Sequence, residues 1–106
     1  MATDQPTLPI QHEQPAGTGH GVFFIEKDGE RLARMTYRQQ DDTVTIQHTE
    51  VSDALRGQGA GKRLLEQLVQ WARQGHLQVV PRCPYARATF AKHPELRDVL
   101  APDVTL

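Results

Sequence analysis

The sequence predicts a small α/β domain of the α+β kind: a mixed, mostly antiparallel sheet with one parallel strand pair and two to three helices. Three observations predict it. A strand-like run, Thr43 to Val51, leads through the turn Arg56-Gly-Gln-Gly-Ala-Gly61 into an amphipathic helix, Lys62 to Gln74. Leu77 to Arg82 then reads as a strand, and the intervening helix makes a parallel crossover of right-handed connection. Upstream, two β-rich runs flank Asp28-Gly29, a hairpin signal.

Taken in order, residues 1–19 carry Pro6, Pro9, Pro15, Gly17 and Gly19, too many breakers for a helix, with room for a short strand around Leu8 to His12. This sets off a flexible or short-strand N-terminal segment, 1–19, from a single domain over 20–106. Val22 to Glu26 and Glu30 to Arg38 form the hairpin, with Ala33, Met35 and Tyr37 on one side. Gln39 to Asp42 make a second polar turn. Strict alternation then puts Val44, Ile46, His48 and Glu50 on one face of the next strand. In the helix, Leu64, Leu65, Leu68, Val69, Trp71 and Ala72 share one apolar arc, and Gly75 is the expected left-handed cap. Pro81 cannot donate to a ladder, so this strand ends at an edge or where neighbours part. Pro84 opens a helix to about Lys92, His93-Pro94 breaks it, Glu95 to Leu100 adds a last turn or two, and the tail from Ala101 is irregular.

The 106 residues suffice for one core and not two, and a net charge of -1 gives no reason to expect nucleic acid, a membrane surface or an acidic polymer as partner. No apolar run approaches a membrane span and no signal-peptide core opens the chain, so a cytoplasmic location is expected. Cys83 is the sole cysteine, which excludes an internal disulfide.

The turn is the strongest functional signal. Glycines at every second position open a helix whose first N–H groups lack internal partners, and such a start attracts phosphate. A P-loop would need glycine at Arg56 and Ser or Thr at Arg63, and a dinucleotide fingerprint meets Lys62 where its third glycine belongs. A plain tight turn needs fewer glycines. What fits is Arg56-x-x-Gly59-x-Gly61, which resembles the acetyl-CoA pyrophosphate loop of the GNAT superfamily of N-acetyltransferases. His48-Thr-Glu-Val51, Val79-Val-Pro-x-Cys-Pro84 and His93-Pro-Glu95 look like its short YjdJ-type branch, a resemblance covering roughly residues 20–100.

The resemblance implies a minimal GNAT fold in which two parallel strands splay apart around the cofactor's pantetheine arm. By similarity, Arg56, Gly57, Gln58, Gly59, Ala60, Gly61 and Lys62 hold the pyrophosphate, with Arg63 a further phosphate-screening cation. The backbone of Thr49, Glu50 and Val51 pairs with the pantetheine amides, and the thioester lies near His48 and Cys83. For His48 the readings are a general base or orienting group, against a half-buried histidine with one hydrogen bond; Glu50 orients its ring or is a solvated strand-end charge. Cys83 is a thiolate acceptor that passes acetyl onward, with His48 drawing its proton, or a small buried hydrophobe. Tyr85 stands where many GNAT enzymes keep a tyrosine that protonates the departing thiolate, and packing is its favoured role. Cys83, His93 and His48 lack a fourth ligand, so no metal is expected.

Larger GNAT enzymes place two helices between their first strands, for which Asp28-Gly29 leaves no room. The acceptor side is thus expected to be open, either shallow or completed by a second subunit of a homodimer. The function implied is acetyl-CoA-dependent transfer of an acetyl group to an amine, with a non-catalytic acyl-CoA-binding or sensing module as the alternative.

Overall fold

The computed structural model describes residues 8–106. Its strands are β1 (Gln11–Glu13), β2 (His20–Lys27), β3 (Glu30–Gln40), β4 (Thr43–Val51) and β5 (Gln78–Pro81), and its helices α1 (Ala60–Gly75) and α2 (Pro84–Lys92). Short 3-10 turns cover Asp53–Leu55 and Pro94–Val99. One sheet holds the strands in chain order. Pairs from β1 to β4 are antiparallel, whereas β4 and β5 run parallel from Thr43 opposite Gln78 to Ile46 opposite Pro81.

Turn chemistry sets this order. Asp28 and Gly29, at φ 54° and 81°, close the hairpin between β2 and β3 with two left-handed residues, the geometry that matches strand twist. Asp41, at φ 54°, turns β3 into β4. The β1 strand lies one to three residues later than the run expected around Leu8 to His12, and its His12 ring stacks on Phe23 with centroids 3.9 Å apart.

Both helices pack on one face of the sheet. Phe23, Ile25, Met35, Tyr37, Val44, Ile46 and Val79 meet the α1 stripe of Leu64, Leu65, Leu68 and Val69, together with Ala86 and Phe90 of α2, in one buried cluster. Successive strand side chains alternate, so Phe24, Arg34 and Thr36 lie on the opposite face, which has no helix over it among the described residues. Phe24 is buried there beneath the Arg31 guanidinium, 3.9 Å from its ring centroid.

Two local expectations change. The left-handed residue after α1 is His76, at φ 55° and ψ 43°, not Gly75, which remains helical; the His76 N–H satisfies the carbonyls of Ala72 and Arg73. The face of His48 and Glu50 is also reversed. Tyr37 pairs with Ile46 but Thr36 with His48, leaving Gln47 as an extra residue in β4. Such a bulge shifts the alternation by one. Thr49, opposite buried Met35, therefore turns to the helix face, and His48 and Glu50 turn to the open one.

Candidate active site

The site grows from the point where β4 and β5 part. Their last rung is the Arg82 N–H on the Ile46 carbonyl at 3.0 Å, after which β5 ends and Cys83 leads into α2. Beyond Ile46 the strand β4 continues to Val51 with β3 as its only strand partner among the described residues. Pro81 suits this end because it has no N–H to leave unpaired. The result is a V whose one arm, Gln47 to Val51, has a free backbone edge.

At the mouth of the V stands the glycine turn. Gly57 and Gly59, at φ 81° and 70°, are left-handed with open space around a would-be Cβ, so conformation alone demands glycine at these two positions. Gly59 is the N-cap of α1 and is followed by right-handed helix, a left-then-right sequence that converges successive N–H groups into an anion-binding nest. Arg56 and Gln58 spend their N–H groups on Asp53 and Leu55 at 3.1 Å each, and the first helical bond runs from Arg63 to Gly59 at 3.0 Å. Among the described residues, no carbonyl or side chain takes the N–H of Gly57, Gly59, Ala60, Gly61 or Lys62. The main-chain N–H of Gln58 is thus not among the free ones.

The third glycine has a different cause. A Cβ on Gly61 would lie 2.4 Å from Cζ and Oη of Tyr85, so the residue admits the tyrosine ring against the first turn of α1. Tyr85 is 41% exposed, and its hydroxyl lies against Gly61 at the start of α1 and not in the core. The sequence held one unread signal of this contact, a third glycine that the turn conformation does not need.

Around the V, the Cys83 thiol donates to the Thr49 hydroxyl at 3.3 Å on the helix face. Cys83 is only 5% exposed, while His48, one residue from Thr49, is exposed on the opposite face. The two predicted chemical residues therefore flank the strand edge from opposite sides, and no hydrogen bond joins them among the described residues. The Glu50 carboxylate is held by Arg34 at 2.6 Å and is not a partner of the His48 ring. Arg56 pairs with Asp53 at 2.8 Å, and Lys62 stands 3.9 Å from Glu66. Arg63 is turned away, donating to the Leu8 carbonyl at 2.7 Å, so it ties down the N-terminal segment instead of screening the loop.

A parallel strand pair that splays, a nest of free amides at its mouth and a helix on that nest form a recognisable set. A family model for the GCN5-related N-acetyl-transferases matches residues 22–99. The chain belongs to that family. As a GCN5-related member it is an acyltransferase.

Among solved structures, a GCN5-like protein from Staphylococcus aureus is 34% identical over 89% of this chain and 88% of its own, with a TM-score of 0.68. The ribosomal-protein-S18-alanine N-acetyltransferase of Escherichia coli shares the fold at 20% identity and a TM-score of 0.60, over 72% of this chain and 52% of its own. The ribosomal-protein-alanine N-acetyltransferase of Brucella melitensis aligns at 16% identity and a TM-score of 0.63, over 84% and 67%. This GCN5-related chain thus spans about half to two thirds of those two enzymes. No curated protein matches it in sequence. None of its helices is long and apolar enough to cross a membrane among the described residues.

Proposed function

We propose that the chain transfers an acetyl group from acetyl-CoA to an amine, as a member of the short YjdJ-type branch whose catalytic domain is residues 20–106. The observation that carries this reading is the pairing of five unspent N–H groups at the start of α1 with the free edge of β4. Both fit coenzyme A. Converging amides at a helix start accept a diphosphate, and an unpaired strand edge accepts the amide groups of pantetheine. When bound, acetyl-CoA supplies an activated thioester.

In this reading Gly57, Gly59, Ala60, Gly61 and Lys62 hold the diphosphate, and the backbone of Thr49 to Val51 aligns the arm. Thr49 and Cys83 wall the thioester from the helix side. His48 approaches from the open face and takes the proton of the incoming amine. Their separation favours direct transfer over an acetyl-Cys83 route, because a base must stand within hydrogen-bond reach of the proton it removes. Tyr85, its hydroxyl against Gly61 at the start of α1, stands at the diphosphate end of the cofactor and braces the nest. A second copy of the chain completes the open face where the two helices of larger relatives are missing.

Calorimetric titration tests the donor half. Coenzyme A is expected to bind at least tenfold more tightly than pantetheine, which lacks the diphosphate. Equal affinities, or no binding of either at millimolar concentration, would remove the amide nest from the account.

A further inference from the structure

We infer that the cleft between the end of β5 and the C-terminal tail is the acceptor site, and that it selects amines that also carry a carboxylate. This deepens the acetyl-transfer reading and rests on it. The cleft, of about 490 Å³, is lined by Val80, Arg82, Arg87, Asp103, Val104 and Thr105. Arg82 joins it to the reaction centre. Its backbone N–H closes the last rung of the splaying strands on Ile46, the residue itself lines the cleft, and the next residue is Cys83, bonded to Thr49.

The tail is a fixed wall. The Ala101 N–H donates to the Val79 carbonyl at 3.0 Å, the Val104 N–H to Ala101 at 3.1 Å, and the Arg87 guanidinium to the Thr105 carbonyl at 2.9 Å.

Charge identifies the ligand class. Arg31, Arg34, Arg56 and Arg73 each hold a carboxylate, yet Arg82 and Asp103, of opposite sign and lining one cleft, hold neither each other nor any other ion-pair partner among the described residues. Three charged residues line this space, and with the Arg87 guanidinium spent on the Thr105 carbonyl, Arg82 and Asp103 are the pair open to a zwitterion. The guanidinium takes a carboxylate in its planar fork, and the Asp103 carboxylate takes an ammonium. The ammonium first gives one proton to water, leaving the free base: its lone pair forms the C–N bond to the acetyl carbonyl, and the C–S electron pair leaves on sulfur as the thiolate. The second proton passes from nitrogen to His48 and on to the thiolate or solvent.

The test is thiol release with glycine, β-alanine, ethylamine and ethylenediamine, beside calorimetry of coenzyme A on the same samples. Glycine or β-alanine is expected to exceed ethylamine at least tenfold in kcat/KM. Arg82→Gln should cut that advantage to within about threefold, and Asp103→Asn should raise KM for both amino acids. Titration with the product N-acetylglycine needs no turnover and should shift the amide resonances of Val80, Val104 and Thr105. Equal rates, ethylenediamine as best substrate, an advantage surviving Arg82→Gln, or resonance shifts elsewhere would each overturn the assignment. If no amine reacts while coenzyme A binds, the cleft assignment fails alone; if coenzyme A does not bind, the donor reading beneath it fails too.

Discussion

Two glycines face the same collision with opposite expected costs. A Cβ on Gly21 would fall 2.2 Å from Cζ and Oη of Tyr37, and one on Gly61 would fall 2.4 Å from the same atoms of Tyr85. Tyr37 is fully buried, its hydroxyl 2.5 Å from His12 Nε2 and its ring tilted against Phe23 and Trp71. It has nowhere to go. Overpacking of this kind costs about 1–3 kcal/mol, the displaced His12 bond about 0.5–1.5 kcal/mol more, and alanine in a strand returns about 0.5–1 kcal/mol. Gly21→Ala should therefore lose about 2 kcal/mol at the middle of these ranges, a fall in Tm of roughly 8–16 °C at about 4–8 °C per kcal/mol. Tyr85 instead can swing into solvent, and alanine in a helix gains up to about 1 kcal/mol over glycine. Gly61→Ala should stay within about 1 kcal/mol of the parent in urea and heat denaturation while transfer falls at least tenfold, because the tyrosine hydroxyl is pushed off the start of α1. Equal losses of stability in the two variants would refute the reasoning, since collision distance and not burial would then set the cost.

Acidity should act through the same aromatic cluster. Burial holds the His12 imidazole below its ordinary value and pushes the Tyr37 phenol up to about 12. The unfolded histidine binds a proton the folded one refuses, so stability should rise with pH through a window ending near ~6.5, and His12→Asn should flatten that slope in chemical denaturation. Above pH ~10 the sign reverses, because the unfolded phenol ionises first; stability should then fall toward pH 12, and Tyr37→Phe should remove that fall. At the reaction centre, His48→Ala and Cys83→Ala are expected to keep coenzyme A affinity within about threefold in calorimetry while transfer drops. Direct transfer predicts the greater loss, about 100-fold or more, for His48. A mass increment of one acetyl group on Cys83 in the parent during turnover would reinstate the cysteine route.

How much was legible follows from the range of each signal. The hairpin at Asp28-Gly29, the α1 stripe and the parallel crossover to β5 are local or periodic, and the structure places all of them where the pattern indicates. The glycine turn was likewise readable because left-handed conformation at Gly57 and Gly59 is a property of single residues. The extra residue at Gln47 left no such mark: a bulge depends on how two distant strands share hydrogen bonds, and nothing in Thr43 to Val51 alone announces it.

What the chain's own order of residues determined is therefore the family-bearing frame: strand, amide nest, helix and the proline where two strands part. Only tertiary structure decided which side chains meet across it. It set His48 and Cys83 on opposite sides of one strand edge, tied the Gln58 N–H to Leu55 and the Arg63 side chain to Leu8, and laid Tyr85 over Gly61. The physical reason is that backbone conformation is written in neighbouring residues, whereas side-chain partnership depends on register and packing between segments tens of residues apart. A single inserted residue in one strand is enough to reverse it.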